Sequence, residues 1–119
     1  MPDWDQVVTL ARAQLPEVEL STSYGTPALK VRGKLFVRLR EDEEHLVLFV
    51  DFMEREALVQ SSPEVFVVTP HHRDWPMVLM RLDRVDPDEL RELVIESWRR
   101  RAQKRLLAEY DAARGDAAG

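Results

Sequence analysis

Apolar residues occupy every second position on both sides of Gly33, and this pattern constrains the fold more than any other feature. A period of two residues is typical of half-buried β-strands, and a glycine between two such runs indicates a hairpin. We predict a three-residue connection over residues 32–34, because it pairs Val31 with Leu35 and Leu29 with Val37 and so keeps apolar side chains together. The alternating positions are Leu29, Val31, Leu35, Val37 and Leu39.

The solvent-facing side of this predicted hairpin is strongly basic, since no acidic residue occurs between positions 28 and 40. The next predicted strand, residues 45–51, also alternates and directs Phe49 to the same outer side. Two interpretations stay open. Cations and aromatic rings could bind nucleic acid, or the cations are ordinary surface residues and the phenylalanines pair across strands. The outward-facing residues are Lys30, Arg32, Lys34, Phe36, Arg38 and Arg40.

Length and composition indicate a single globular domain. The chain has 119 residues, no cysteine and a formal net charge of −5. The absence of cysteine excludes disulfide and thiolate chemistry and favours a cytoplasmic location. The negative net charge argues against unselective binding of polyanions. No apolar run approaches the ~20 residues that a membrane span needs, so no membrane partner is expected. We predict a monomeric domain over residues 1–113 and a frayed tail over residues 114–119.

Helix signals surround the predicted strands. Asp3 is expected to cap a helix over residues 4–15, with Gln6 completing a capping box. Asp51 caps a second helix through residue 60, and Asp86 caps one long last helix through Tyr110. Further strands are predicted over residues 18–24, 65–69 and 77–82. The fold class is therefore α+β, an antiparallel sheet of about five to six strands with helices on one face, in the order α-β-β-β-β-α-β-β-α.

Two other segments carry side chains that bind ligands in many proteins. The predicted loop over residues 70–76 contains His71, Arg73 and Trp75, and loops often carry binding residues. Together with Tyr24, these side chains form a candidate pocket for a planar or anionic metabolite. The second half of the last helix is a second basic patch, of which the helix dipole explains only part. Its members are Arg99, Arg100, Arg101, Lys104 and Arg105.

The sequence predicts neither a metal site nor a catalytic site. Adjacent side chains such as His71 and His72 diverge in extended backbone, which is poor spacing for metal ligands. Residues 41–44 are all acidic, and we expect them to form a solvated turn because neighbouring carboxylates repel one another. Gly-rich phosphate loops, Gly-x-Ser-x-Gly and His-Glu-x-x-His are missing from the sequence. A protein without cofactor or enzymatic activity is expected.

Several segments closely resemble the MmcQ/YjbR family of small bacterial proteins. The resemblance extends from residue 4 to about residue 110, and its motifs are specific in combination. It implies a frataxin-like (CyaY-like) fold and DNA binding through a double-wing arrangement of hairpins. Members often have a proline before the Lys-Arg-Leu of the last helix, where this chain has Gln103. The segments that carry the resemblance are 23–34 (SYGTPALKVRGK), Asp51 with 54–58 (EREAL), 67–71 (VVTPH) and 76–79 (PMVL).

Three functional hypotheses follow. The first is a DNA-binding module in which the outward-facing hairpin cations contact phosphates of double-stranded DNA, assisted by Arg73 and with little sequence preference. The second is a small-molecule-binding protein with the pocket beside Tyr24, His71, Arg73 and Trp75. The third is a protein-binding surface centred on Phe36 and Phe49, which would select an acidic partner.

Overall fold

The computed structural model describes the backbone of residues 2–118 and the side chains of residues 2–114. Four α-helices and six β-strands follow one another in the predicted order, except that the predicted last helix is two helices. In sequence they are α1 (Trp4–Gln14), β1 (Val18–Ser23), β2 (Thr26–Val31), β3 (Lys34–Leu39), β4 (His45–Phe49), α2 (Phe52–Ser61), β5 (Phe66–Val67), β6 (Met77–Arg81), α3 (Pro87–Arg101) and α4 (Lys104–Ala118), with a single 3₁₀ turn over Pro70–His72 between β5 and β6.

The six strands form one antiparallel sheet in the order β1-β2-β3-β4-β6-β5. Side chains from α1, α3 and α4 pack with one side of the sheet in a single hydrophobic core, and Leu58 and Val59 of α2 contact its margin. The predicted α+β class, with helices on one face, is confirmed. Within the described residues, no helix is long and apolar enough to cross a membrane.

The helix starts are set locally, as the sequence predicts. Asp3 accepts a hydrogen bond from the Gln6 N–H at 2.9 Å, and Gln6 Oε1 accepts one from the Asp3 N–H at 3.0 Å. Asp51 caps α2 through the Glu54 N–H, and Asp86 caps α3 through two backbone N–H groups. Each cap satisfies backbone donors that the first helical turn leaves unpaired.

The hairpin forms around Gly33, but its register differs from the prediction. Leu29 pairs with Val37 as expected, whereas Val31 pairs with Lys34 instead of Leu35. The connection is therefore two residues long, with Arg32 at φ 46° and Gly33 at φ 81°. Positive φ at both positions is typical of the tight turns whose twist matches that of β-strands. The shorter turn leaves one extra residue in β3.

That extra residue is Phe36, which forms a β-bulge opposite the step from Leu29 to Lys30. A bulge breaks the alternation of side chains, and Phe36 turns into the core, where its exposed fraction is 0%. Phe49 is also buried, at 9% exposed, with the Arg101 guanidinium 4.3 Å from its ring centroid. The prediction that Phe36 and Phe49 form an exposed outward pair is wrong. The two rings therefore cannot form the apolar centre of a protein-binding surface.

The bulge is held by Ser97 of α3, which is fully buried. Its hydroxyl donates to the Phe36 carbonyl oxygen and accepts a hydrogen bond from the Phe49 N–H at 2.9 Å. The regular pairing of β3 with β4 ends at Val37 and Leu48. One side chain therefore joins two backbone groups at the point where the strands separate.

The single long last helix was also wrong, because the chain breaks after Arg101. Ala102 adopts extended geometry with ψ 146°, and α4 begins at Lys104. Leu106 and Tyr110 are nevertheless buried, as predicted for the far end of that helix. Helix α4 extends to Ala118, and Gly119 lies outside the described residues. Fraying of residues 114–119 stays a prediction.

Candidate functional site

The turn of the β2–β3 hairpin lies against the break between α3 and α4. Arg32 Nη1 donates to Gln103 Oε1 at 3.1 Å, and Arg101 Nε donates to the Leu35 carbonyl oxygen at 2.8 Å. In the sequence, the hairpin and the last helix are separate basic segments. The fold joins them, and we call the residues at this junction, Arg32, Lys34, Arg101 and Lys104, the hairpin–elbow surface.

Charges within this surface differ in how far they are neutralised. Arg32 forms two hydrogen bonds with Glu17, at 2.9 and 2.8 Å, and this pairing lowers the pKa of the Glu17 carboxyl. Lys34 and Lys104 are exposed, and within the described side chains neither has an acidic partner within 4.0 Å. The two lysines are therefore the cations best placed to meet a new anion.

The remaining hairpin cations are less available than expected. Lys30 is half-buried, and Arg40 is half-buried with its guanidinium 3.8 Å from Asp42. Arg38 is only 7% exposed. Arg73 is exposed but lines the groove between the 70–76 loop and α2. The predicted continuous basic face is thus divided.

In the second basic patch, Arg99 is bound by both oxygens of Asp111 and lies 3.8 Å from Glu96. Arg105 lies 3.7 Å from Glu109, with most of its side chain exposed. Arg100 is exposed, and Arg101 is held on the hairpin. Only part of the patch therefore contributes to the hairpin–elbow surface.

Arg38 lies on the sheet face opposite the helices, in a row of cross-strand neighbours. Ala28, Val47 and Leu79 occupy successive positions of this row. All four side chains are buried although none belongs to the core on the helix side. Arg38 Nη1 donates to Thr26 Oγ1 at 3.2 Å and to Glu41 Oε1 at 3.0 Å. Its guanidinium carbon lies 5.4 Å from the ring centroid of Tyr24.

The 70–76 loop is held by Arg55 of α2, which the sequence analysis missed. Arg55 Nη1 donates to the carbonyl oxygens of His72, Trp75 and Met77, and Nη2 donates to that of Arg73, over 2.8–3.3 Å. Because four carbonyls converge on one guanidinium, the loop has a defined shape. In the sequence, the one signal for Arg55 is its place within the resemblance motif at 54–58.

The predicted ligand residues do not share one enclosed pocket. An open groove of about 590 Å³ lies between α2 and the 70–76 loop, and of the four candidates it contains only Arg73, beside Phe52, Arg55 and Pro70. Tyr24 and Trp75 are 86% and 62% exposed, and His71 is exposed too. His72, the neighbour of His71, is buried at 9% exposed, and its Nδ1 lies 2.7 Å from Thr69 Oγ1.

The acidic turn between β3 and β4 is organised by Asp42. Its oxygens accept hydrogen bonds from the Glu44 and His45 N–H groups and meet His45 Nδ1 at 2.8 Å. Burial opposes ionisation of Asp42, but these hydrogen bonds outweigh it and hold the pKa of Asp42 below its usual range. Asp42, Glu44 and His45 place potential ligand atoms within 4.8 Å of one another. Their internal hydrogen bonds are those of a capped turn.

Comparison with known proteins settles the family. The model of the YjbR family matches residues 13–100, which include all six strands and the whole of α2. The chain belongs to the YjbR family. The resemblance found in the sequence is confirmed.

Relatives and a solved structure agree with this assignment. Uncharacterized proteins of Mycobacterium tuberculosis and Mycobacterium bovis are 37% identical over 59 residues. That alignment covers 50% of this chain and 46% of each relative, so it spans about half the length of the relatives. The crystal structure of a Deinococcus radiodurans protein with a DUF419 domain superposes with a TM-score of 0.75, at 22% identity, over 93% of this chain and 89% of that one. This similarity supports the YjbR fold.

Proposed function

We propose that this YjbR-family protein is a non-enzymatic DNA-binding protein whose hairpin–elbow surface contacts the phosphate backbone. One observation carries the proposal: the Arg32–Gln103 and Arg101–Leu35 contacts bring two separate basic segments to one place. A protein that binds DNA in the cell would be cytoplasmic, in keeping with the location predicted from the sequence.

The proposal assigns the contacts differently from the sequence analysis. Lys34 and Lys104 supply the charges that meet phosphates, because both are exposed and free of an acidic partner within the described side chains. Arg32 and Arg101 position the surface, since their guanidinium groups are already engaged by Glu17 and by the Leu35 carbonyl oxygen. Phe36 has no part in stacking on bases, because it is buried in the core.

Binding through so few cations is expected to be weak and salt-dependent. Each phosphate neutralised releases counterions, so the affinity falls with salt concentration in proportion to the number of contacts. The net charge of −5 also repels DNA and lowers the affinity further. Sequence preference should be slight, because phosphate contacts carry no base information.

The test is fluorescence anisotropy with a labelled random-sequence duplex across a salt series. The double variant Lys34→Glu/Lys104→Glu should weaken binding and reduce the slope of log affinity against log salt by about 2. Arg84→Glu is the control for each single variant, Lys34→Glu and Lys104→Glu, which carry the same charge change of −2, because Arg84 is exposed and lies beside the β6 end of the sheet, next to Arg81.

Equal weakening by Arg84→Glu would show a nonspecific charge effect and contradict the assigned surface. A wild-type protein that fails to bind the duplex at low salt would overturn the proposal altogether.

A further inference from the structure

Arg38 is a buried cation, and three of its five N–H donors have no acceptor among the described residues. Only Nη1 has acceptors, Thr26 and Glu41. Within residues 2–114, Nε and Nη2 have no hydrogen-bond acceptor, although the residue is 7% exposed. Both nitrogens keep contact with solvent, because neither is among the sealed, unpartnered side-chain atoms of the described residues. The Nε–Nη2 edge is therefore open to an acceptor from solution.

That edge has the geometry of an oxyanion receptor. The Nε–H and one Nη2–H of an arginine lie parallel, which matches the two oxygens of a carboxylate or phosphate. Neither nitrogen is sealed from solvent, since the only described side-chain atoms both sealed and unpartnered are Trp98 Nε1 and Tyr110 Oη. A small molecule can therefore reach the edge.

The groups around Arg38 add a planar surface. The Tyr24 ring lies beside the guanidinium, with its centroid 5.4 Å from the guanidinium carbon, and 86% of the tyrosine is exposed, which leaves most of its ring open to solvent. Tyr24 at φ 53° and Gly25 at φ 78° form the two-residue turn between β1 and β2, with the same geometry as the Arg32–Gly33 turn. The turn places the tyrosine at the tip of this hairpin, beside Arg38.

The charge balance favours a monoanion. Glu41 already binds the Nη1 side of Arg38, so the site has little positive charge to offset a dianion. The pKa of His72 is lowered below its ordinary value. Burial is the largest cause, and the nearby charges of His71, Arg38 and Arg40 add to it. A neutral imidazole adds no further positive charge at pH 7.

We propose that the outer face of the sheet binds a small aromatic or planar carboxylate, with the carboxylate on the Nε–Nη2 edge of Arg38 and the planar group against Tyr24. The site is independent of the hairpin–elbow surface, because it uses neither Lys34 nor Lys104. Inorganic phosphate shares the oxyanion chemistry and is the competing ligand in the test.

The test is a titration of the ¹⁵N-labelled full chain with sodium benzoate, followed by NMR at the Arg38 Nε–H and the Tyr24 amide. Both signals should shift in a saturable way, and benzamide, which lacks the charge, should leave them unmoved. Tyr24→Ala should weaken benzoate binding about threefold, since a cation–π and stacking contact at an exposed site is worth little more. Because Tyr24 is exposed, this variant should fold normally.

Glu41→Gln supplies the decisive comparison. It removes the competing carboxylate, so benzoate should bind several-fold tighter, an effect that damage to the fold would not produce. Arg38→Lys, followed at the Tyr24 amide, should abolish the benzoate shift while leaving DNA binding unchanged, which separates this site from the proposed function. Absence of a benzoate shift at Arg38, or weaker binding in Glu41→Gln, would overturn the proposal. Tighter binding of phosphate than of benzoate would overturn the carboxylate assignment.

Discussion

Replacing Ser97 with alanine should destabilise the protein far more than an ordinary serine deletion. The Ser97 hydroxyl serves both the Phe36 carbonyl oxygen and the Phe49 N–H, and the residue is 0% exposed. Alanine leaves both buried backbone groups without this partner. Each unsatisfied group costs about 1–3 kcal/mol, so we expect a loss of about 2–4 kcal/mol after partial relaxation. That is a large share of the ~5–15 kcal/mol that stabilises a typical domain.

Urea denaturation measures this loss directly. With an m-value of about 1–3 kcal/mol/M, the midpoint should fall by roughly 1–2 M while m stays unchanged. Ser61→Ala is the matched control: Ser61 is exposed at the end of α2 and donates to the Leu58 carbonyl oxygen. Ser61→Ala should lower the free energy of unfolding by no more than about 0.5 kcal/mol.

Amide hydrogen exchange adds a residue-specific test. In Ser97→Ala the Phe49 amide should exchange faster relative to Val47, which lies in the regular part of β4. A Ser97→Ala variant as stable as Ser61→Ala, with the Phe49 amide still protected, would refute the bridging role. The β3 and β4 backbones would then satisfy each other without the serine.

Two further predictions concern the 70–76 loop. Arg55→Lys should speed amide exchange and limited proteolysis within the loop while the sheet core stays protected. The reason is that an ammonium cannot bind all four carbonyl oxygens as the guanidinium does. A loop as well protected in the variant as in the wild type would contradict this role of Arg55. His72 should make stability pH-dependent: its folded pKa lies below the ordinary ~6.5, so its neutral form is favoured by folding. The free energy of unfolding of the wild type should therefore decline as pH falls below about 6.5. Urea midpoints at pH 7.5 and 5.5 should show a smaller decline for His72→Gln. An equal decline in the two proteins would refute the role of His72.

Local chemistry made much of the fold predictable. The capping box of Asp3 and Gln6 spans three residues, and Asp86 with Pro87 marks the start of α3 equally clearly. Alternation located β2, β3 and β4 because each has one face in a continuous core. These signals depend on neighbours along the chain, and the sequence contains them in full.

The errors arose where distant residues decide. The bulge at Phe36 depends on Ser97, 61 residues away, and the turn at Arg32 contacts Gln103, 71 residues away. The candidate site also depends on contacts between residues that are distant in sequence. The sequence identifies its basic residues, but it does not show which of them are buried or paired with an acid. Arg38 was counted as a solvent-facing cation because its neighbours across the sheet are visible only after the strands pair.

The one-residue bulge also explains why the basic hairpin does not act as one face. Without it, strict alternation would carry Phe36 outward beside Lys34 and Arg38. With it, Phe36 enters the core, and the hairpin cations separate. Lys34 lies at the turn beside the helix break, whereas Arg38 lies near the other end of β3, beside Tyr24. The two ends of β3 therefore present different chemistry, an exposed ammonium at one and a buried guanidinium with an open edge at the other. Phosphate backbones suit the first, and a single bidentate carboxylate suits the second.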